Sequence, residues 1–451
     1  MRFHSIYAVS DIHTDYRKNL EWAKSLGQAG HGSDALLIAG DVADDVDTFA
    51  ETMDSLSRAF GAVFFVPGNH DLWIRRDGSH GADSIAKLEK LAGICCECGV
   101  LTTPQRLAMD AGGAVSVLPL LSWYHSSFDV EPDVSQLRLP SARAVVADYK
   151  ATRWPAPLEN GGEALARHLD SLCDELPGER AAAEAAARSS LISQRGGGKL
   201  LATTPLGSYA EARAGGARVL SFSHFLPRIE LAPEKRFLVY PPLMQALGSA
   251  PLGRRLDALR PEVHVFGHSH FGWDATLDDG IRYVQAALAT PVERQRRPRS
   301  LMVSYDLDLD LKAKISDQPR TDLHKESLPL KIYDGATGGF CPPRRAAWSD
   351  HYAAYDREPH NTSPAPWVVD YYAKVAPRRL NLTEAEEGER LARAETRERL
   401  AAEEAKGGEA ARAYDRASKP ERVGMFDVAR SVRQPGGGPG PITRADYPTG
   451  G

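Results

Sequence analysis

Short apolar segments of this chain alternate with helical patterns from its start. Three segments, Ser5–Ser10, Ala35–Ala39 and Ala62–Val66, are predicted strands. Amphipathic patterns predict helices between them at Arg17–Leu26 and Thr48–Phe60. Because parallel strands need long crossover connections, this alternation predicts an α/β fold whose sheet contains parallel strands.

Each predicted strand is followed at its carboxyl end by polar side chains. Asp11 and His13 follow the first strand, Asp41 follows Gly40 after the second, and Asn69 follows the third. Open α/β sheets bind ligands at this edge. Two later apolar segments end in further imidazoles, in the sequences Ser223-His224 and Gly267-His268-Ser269-His270.

Carboxylate, amide and imidazole groups in this order predict a site for two divalent ions. In extended backbone, the side chains of Asp11 and His13 point to the same side, as do those of His268 and His270. Asp41 has two carboxylate oxygens and is suited to bridge the ions. Two divalent ions, two aspartates and a hydroxide leave a net charge of about +1, which attracts a phosphate ester and lowers the pKa of bound water.

The residues after Asn69 predict a proton donor. His70 is adjacent to a candidate ligand and is positioned to protonate a leaving oxygen as a general acid. Asp71 is expected to orient His70 and raise its pKa. His70 and Asp71 are therefore the candidate catalytic pair.

Together these motifs resemble the calcineurin-like metallophosphoesterase superfamily over residues 5–295. The resemblance implies a four-layer sandwich of two mixed β-sheets flanked by helices, with a dinuclear metal centre. It implies a first ion held by Asp11, His13 and His270, a bridging Asp41, a second ion held by Asn69, His224 and His268, and His70 as the acid. Ser223 stands where the family often has glycine, which could shift His224.

The function expected from this pattern is hydrolysis of a phosphomonoester or phosphodiester by a metal-bridging hydroxide. Mixed oxygen and nitrogen ligands suit Mn, Fe or Zn. One alternative is a non-catalytic interaction scaffold that keeps the fold, and another is a nuclease. A formal net charge of −5 disfavours a nucleic-acid partner.

The 451 residues allow more than one domain. We expect a catalytic domain at 1–315 with an insertion at about 124–217, in which an Ala-rich helix and a flexible loop occupy 180–216. A C-terminal extension is expected at 316–370.

Residues 371–451 are expected to form a charged helix, open to a protein partner, and a disordered Gly/Pro tail. No apolar stretch is long enough for a membrane span, and no signal or transit peptide is evident. A cytoplasmic location is therefore expected, with five reduced cysteines.

Overall fold

Two compact units make up the chain in the computed structural model. The structure describes residues 2–28, 30–74, 82–175, 178–194, 201, 203–305 and 328–405. The first unit comprises Met1–Val130, Asp148–Glu234 and Met244–Glu358. The second comprises Glu131–Ala147, Lys235–Leu243 and Pro359–Gly451.

The described strands are β1 (Ser5–Val9), β2 (Ala35–Ala39), β3 (Ala62–Val66), β4 (Gln105–Ala108), β5 (Ala114–Pro119), β6 (Thr204–Pro205), β7 (Arg218–Phe222), β8 (Val263–Phe266), β9 (Trp273–Thr276), β10 (Arg282–Gln285), β11 (Val303–Ser304), β12 (Leu330–Asp334), β13 (Gly339–Phe340) and β14 (Arg345–Ala346). The described α-helices are α1 (Arg17–Ser25), α2 (Val46–Ala59), α3 (Ser84–Cys98), α4 (Ala142–Val145), α5 (Asp148–Ala151), α6 (Glu163–Glu175), α7 (Glu179–Gln194), α8 (Ala250–Leu259), α9 (Pro291–Arg296), α10 (Pro298–Leu301), α11 (Ala347–Ala354), α12 (Pro366–Val375) and α13 (Glu384–Ala405).

Two mixed sheets form the centre of the first unit, as the family resemblance implies. One has the strand order β13-β12-β1-β2-β3, in which β1, β2 and β3 are parallel and β12 is antiparallel to β1. The other has the order β6-β4-β5-β7-β8-β10-β9, with parallel pairing from β5 through β10. The expected fold of two mixed sheets flanked by helices is confirmed.

Burial on both faces explains the continuous apolar sequences of β2 and β3. All five residues of each strand are buried, as expected for parallel strands covered by helices. Asp45 caps the start of the crossover helix α2, and its side chain accepts a hydrogen bond from the amide of Thr48 at 2.9 Å. The crossovers through α1 and α2 bring the carboxyl ends of β1, β2 and β3 to one edge.

The second unit has its own contacts. In α12, Tyr372 donates its hydroxyl to the carbonyl of Val239 at 2.7 Å, and Trp367 stacks on Phe237 with ring centroids 5.5 Å apart. A capping box precedes α13: the Thr383 amide donates to Glu386 at 2.7 Å, as its sequence predicts. The Gly/Pro tail lies outside the described residues, and the charged helix as a partner surface remains a prediction.

Alternating apolar and polar residues at 301–311 predict a strand with one exposed face. This prediction is wrong at its start, because residues 298–301 form α10 and β11 begins at Val303. Its later part lies outside the described residues. The Ala-rich helix of the insertion is present as α7, and residues 195–200 lie outside the described residues. The later part of the expected loop contains β6, which pairs with β4, and a 3₁₀-helix at Tyr209–Gly216. The flexibility expected at 180–216 remains a prediction. None of the described helices combines the length and apolar character that crossing a bilayer requires.

The predicted domain boundary at residue 315 remains a prediction, and β12 bears on it. β12 lies inside the expected C-terminal extension, yet it pairs with β1 in the first sheet. Ile332 in β12 is fully buried, whereas its neighbour Lys331 is partly exposed.

Ile332→Ala should lower the stability of the first unit by about 2–5 kcal/mol, because the change leaves a cavity in a buried sheet. Urea unfolding followed by circular dichroism would measure the loss. Lys331→Ala in the same strand is the control and should cost less than about 1 kcal/mol. Equal stability of both variants would mean that β12 contributes nothing to this core.

Candidate metal centre

The candidate ligands follow β1, β2, β3, β7 and β8, and the structure brings all seven together. The two sheets meet here: after β1, the Ser10 amide donates to the carbonyl of Ala286 at 3.1 Å, and the Ala289 amide donates to the carbonyl of Asp11 at 2.9 Å. The cluster therefore forms at the junction of both sheets.

The backbone at most of these ligands is left-handed. Asp11, His13, Asp41, His268 and His270 have φ of 52°, 46°, 54°, 73° and 52°. The expectation that Asp11 and His13 lie on extended backbone is thus wrong. A sharp left-handed bend turns each side chain into the cluster, and this conformation is unfavourable for residues with a Cβ. Such strain concentrates at functional sites.

Four ligand atoms form the first half of the cluster. One from each of Asp11, His13, Asp41 and His270 lies within 4.8 Å of the others, and all four residues are buried. His270 Nε2 is 3.0 Å from Asp11 Oδ1 and 3.2 Å from His13 Nε2. His13 Nε2 is 3.9 Å from Asp41 Oδ2. Ligands of one ion at about 2.1 Å are expected to lie about 3–3.5 Å apart, close to these separations.

The second half of the cluster forms around the Asn69 amide oxygen. His224 Nε2 lies 3.0 Å from Asn69 Oδ1, and His268 Nδ1 lies 2.9 Å from the same atom. His224 Nε2 is also 3.5 Å from Asp41 Oδ1. Asp41 therefore presents one oxygen to each half, the position of a bridging carboxylate.

Two glycines allow this close approach. A Cβ on Gly40, which has φ of 81°, would lie 2.3 Å from His224 Nδ1. A Cβ on Gly68 would lie 2.1 Å from Asp41 Oδ1. Neither position has space for a side chain, so glycine is required at both.

Most of the imidazoles are in the form that binds metal. Burial lowers the pKa of His13 to about 4, with the His270 charge adding to the effect. Burial and then His224 lower the pKa of His268 to about 3, and burial lowers that of His224. These three rings are neutral at pH 7, and a neutral imidazole nitrogen is the metal ligand.

The carboxylates are too crowded to be ionised together without cations. Burial, followed by the charges of Asp71 and Asp11, raises the pKa of Asp41 well above its usual value. Burial opposes ionisation of Asp11 too, but the neighbouring His270 outweighs it and lowers the pKa of Asp11. Bound divalent ions favour the ionised form of such carboxylates. The donor set and its spacing thus fit divalent metal ions.

His70 lies beside this cluster, but Asp71 does not orient it. His70 Nε2 is 4.0 Å from Asp41 Oδ2, and its ring stacks on Trp73 at 3.8 Å. Burial, then the His13 charge, lowers the pKa of His70 well below 6.5. The expected rise caused by Asp71 is therefore wrong.

Asp71 instead binds backbone. Its carboxylate accepts the amides of Gly68, Asp41 and Val42, each at 2.8 Å, and that of Ala43 at 3.1 Å. Asp71 was expected to act on a side chain because it follows His70 in sequence. Its contacts show that it holds the loops after β2 and β3 together.

Sequence reasoning missed Glu293. Its carboxylate accepts His270 Nδ1 at 3.0 Å, so the opposite nitrogen, Nε2, faces Asp11. Burial lowers the pKa of His270, but Glu293 and Asp11 outweigh it and raise the value to about 10. A carboxylate behind a metal-binding histidine fixes its orientation. Thr290 and Glu293 form a capping box at α9, and this Thr-x-x-Glu signal in the sequence indicates only a helix start.

Three polar residues near the motifs have structural roles. His264 follows Val263 in an apolar segment, a position that predicts a core histidine with satisfied ring nitrogens. This is confirmed, because His264 is buried and contacts Ser221 Oγ at 2.8 Å and Ser223 Oγ at 3.0 Å. Ser223 stands where the family often has glycine, and its hydroxyl contacts His264 in the neighbouring strand β8. His224 still reaches Asn69 Oδ1 at 3.0 Å. His125 Nε2 accepts a hydrogen bond from the amide of Ala250, at the start of α8, at 3.0 Å.

Part of this chain is similar in sequence to known proteins. Residues 4–134 match the family model described as calcineurin-like phosphoesterase. The acyl-carrier-protein phosphodiesterase PptH of Mycobacterium tuberculosis is 34% identical over 158 residues, which are 34% of this chain and 48% of that protein. The chain thus spans about half the length of this curated relative.

Two solved structures are also similar. The phosphopantetheinyl hydrolase PptH from Mycobacterium tuberculosis has 25% identity and a TM-score of 0.42, covering 66% of this chain and 94% of its own. A protein from Thermus thermophilus has 12% identity and a TM-score of 0.29, covering 63% of this chain and 89% of its own.

Glu293→Gln should weaken Mn²⁺ binding about tenfold or more, because the His270 ring loses its carboxylate partner. Calorimetric titration of metal-free protein would measure the affinity. The control is Glu234→Gln, which changes another buried carboxylate, bonded to Tyr352 at 2.9 Å, and should leave the affinity unchanged. Equal Mn²⁺ affinity in both variants would contradict an orienting role for Glu293.

Proposed function

We propose that this chain, whose residues 4–134 belong to the calcineurin-like phosphoesterase family, is a metal-dependent hydrolase of phosphodiesters. The observation that carries the proposal is the convergence of seven candidate ligands in one cluster, with Asp41 between its two halves. Asp41 contacts both halves of the cluster, with separations of 3.5 Å to His224 and 3.9 Å to His13. A site for a single ion would not need an aspartate between two groups of ligands.

Two divalent ions are assigned to the two halves of the cluster. Asp11, His13 and His270 would hold one, Asn69, His224 and His268 the other, and Asp41 would bridge them. The ions, as Mn, Fe or Zn, would supply an activated water and neutralise the phosphoryl oxygens. The chain's own contribution is to fix these donors before substrate arrives.

His70 is assigned as the general acid because it lies beside the cluster, is not one of the seven candidate ligands, and is partly open to solvent. Its side chain is 29% exposed, whereas those of His13, His224 and His270 are 5%, 0% and 4% exposed. A leaving oxygen can therefore approach Nε2 of His70. Burial lowers the pKa of this ring in the free protein, and a nearby anion would favour its protonated form. The phosphoryl group of the substrate supplies that charge and raises the pKa of His70.

The proposed substrate is the phosphodiester that joins a phosphopantetheinyl group to an acyl carrier protein. The support is sequence similarity to the acyl-carrier-protein phosphodiesterase PptH. An alkoxide is a poor leaving group, so protonation by His70 matters for such a substrate. The scaffold alternative is less well supported, since every candidate ligand is present and faces the cluster.

Incubation of the metal-loaded chain with a phosphopantetheinylated acyl carrier protein should yield the unmodified carrier protein, detected by intact-mass spectrometry. His70→Gln should lower kcat for this substrate by a factor of about 10²–10⁴. The loss should be much smaller for bis-p-nitrophenyl phosphate, whose leaving group needs little protonation. Metal content should not change.

The two substrates and the His70 variant test the enzyme, its substrate and its acid separately. Hydrolysis of the aryl ester with an untouched carrier protein would keep the phosphoesterase and reject the substrate. An equal loss for both leaving groups would reject His70 as the acid. No hydrolysis of either substrate by the metal-loaded chain would reject the enzyme.

A further inference from the structure

We propose that Asp148 is a positioning residue that fixes both a ligand of the second ion, Asn69, and the ring that supports the acid, Trp73. This inference rests on the proposed metal site. Asp148 is the first residue of α5, within the segment that separates β5 from β7. It is only 2% exposed, and no motif in the sequence marks it.

One oxygen of Asp148 receives two hydrogen bonds from the site. Asn69 Nδ2 donates to Asp148 Oδ1 at 2.9 Å, and Trp73 Nε1 donates to the same oxygen at 2.7 Å. Bonds to a carboxylate are stronger than those between neutral groups. Asp148 thus connects a candidate metal ligand, Asn69, with the ring that stacks on His70, Trp73.

The bond to Asn69 decides which end of its amide faces the cluster. Asp148 Oδ1 also accepts the indole N–H of Trp73, so this oxygen acts as an acceptor and pairs with the NH₂ end of the Asn69 side chain. The oxygen is then turned toward His224 and His268, at 3.0 Å and 2.9 Å. A flipped amide would present a hydrogen-bond donor where a metal ligand is required.

The bond to Trp73 acts on the acid through ring stacking. Trp73 and His70 stack with centroids 3.8 Å apart and planes inclined by 28°. Fixing the indole therefore restricts the orientation of the His70 ring. Among the hydrogen bonds of the described residues, none joins Asp148 to His70, so its effect on that ring is indirect.

Backbone contacts hold α5 against the loop that carries His70. The Ile74 amide donates to the carbonyl of Ala151 at 2.6 Å, and the Ser84 amide donates to that of Arg153 at 2.7 Å. Ser84 Oγ in turn donates to the carbonyl of Leu72 at 2.9 Å. These hydrogen bonds between residues 72–84 and residues 151–153 fix the position of Asp148 relative to His70.

Glu184 offers a matched control in the same region of the chain. It is also a buried carboxylate, 2% exposed, and accepts the amide of Thr102 at 3.0 Å and the hydroxyl of Thr103 at 2.6 Å. Burial raises the pKa of both carboxylates. Glu184 makes no hydrogen bond to a candidate ligand among the described residues, so its replacement reports the cost of losing a buried acid alone.

The test compares Asp148→Ala, Asp148→Asn and Glu184→Ala in the full chain. Calorimetry with Mn²⁺ should give an affinity about 10–100-fold weaker for Asp148→Ala. Asp148→Asn should fall between it and the wild type, because an amide can pair with either orientation of Asn69. Glu184→Ala should lower the unfolding temperature but keep the Mn²⁺ affinity within about twofold of wild type.

The effect on the acid is tested separately at saturating Mn²⁺. Trp73→Phe keeps an aromatic ring but loses the N–H, so it should lower kcat by the same factor as Asp148→Ala while leaving KM and Mn²⁺ affinity unchanged. The double variant should lose no more kcat than Asp148→Ala alone, since both changes break one connection.

Unchanged Mn²⁺ affinity in Asp148→Ala, or an equal loss in Glu184→Ala, would overturn the inference about Asn69. Additive kcat losses in the double variant would overturn the link to Trp73. If the wild-type chain itself binds no Mn²⁺ and hydrolyses nothing, the proposed function fails instead.

Discussion

The site depends first on one buried carboxylate that is not a metal ligand. Asp71 accepts four backbone amides, those of Gly68, Asp41, Val42 and Ala43, at 2.8–3.1 Å. These amides belong to the loops after β2 and β3, so a single side chain sets the distance between Asp41 and Asn69. Burial raises the pKa of Asp71 to about 6, and the amides oppose that rise. The carboxylate is therefore ionised at neutral pH, when its bonds are strongest.

That fixed frame explains why an unfavourable arrangement can persist. Left-handed backbone at Asp11, Asp41 and His270 and a buried group of like-charged carboxylates both oppose folding. The two sheets and the Asp71 bonds over-determine these positions, so the ligands stay in place. Cations would relieve the repulsion among the carboxylates. The fold thus presents a site that favours divalent ions because its own residues cannot balance the charge.

Local pattern in the sequence predicted which residues meet and at which edge of the sheet. Apolar strands followed by Asp11, Asp41 and Asn69 were sufficient, because parallel strands bring their carboxyl ends together. The left-handed bend at Asp11 was not predictable from side-chain alternation, since it arises where the strand ends. The left-handed backbone still directs the side chains of Asp11 and His13 into one cluster, as an extended backbone was expected to do.

Contacts between segments that are distant in the chain could not be predicted from sequence patterns. The role of Asp71 was mistaken because adjacency to His70 suggested a side-chain pair, whereas the amides of the β2 loop lie some thirty residues earlier. Asp148 and Glu293 reach the site from the segment before β7 and from α9, and neither has a motif that indicates this role. β12 joins β1 from the far end of the first unit. Each of these depends on tertiary packing rather than on periodicity.

The most direct measurement is anomalous diffraction from crystals of the chain grown with Mn²⁺. The account predicts two anomalous peaks, one on each side of the Asp41 carboxylate, the first contacting His13 and His270 and the second contacting Asn69, His224 and His268. A single peak, or peaks away from Asp41, would contradict a dinuclear centre built by these residues.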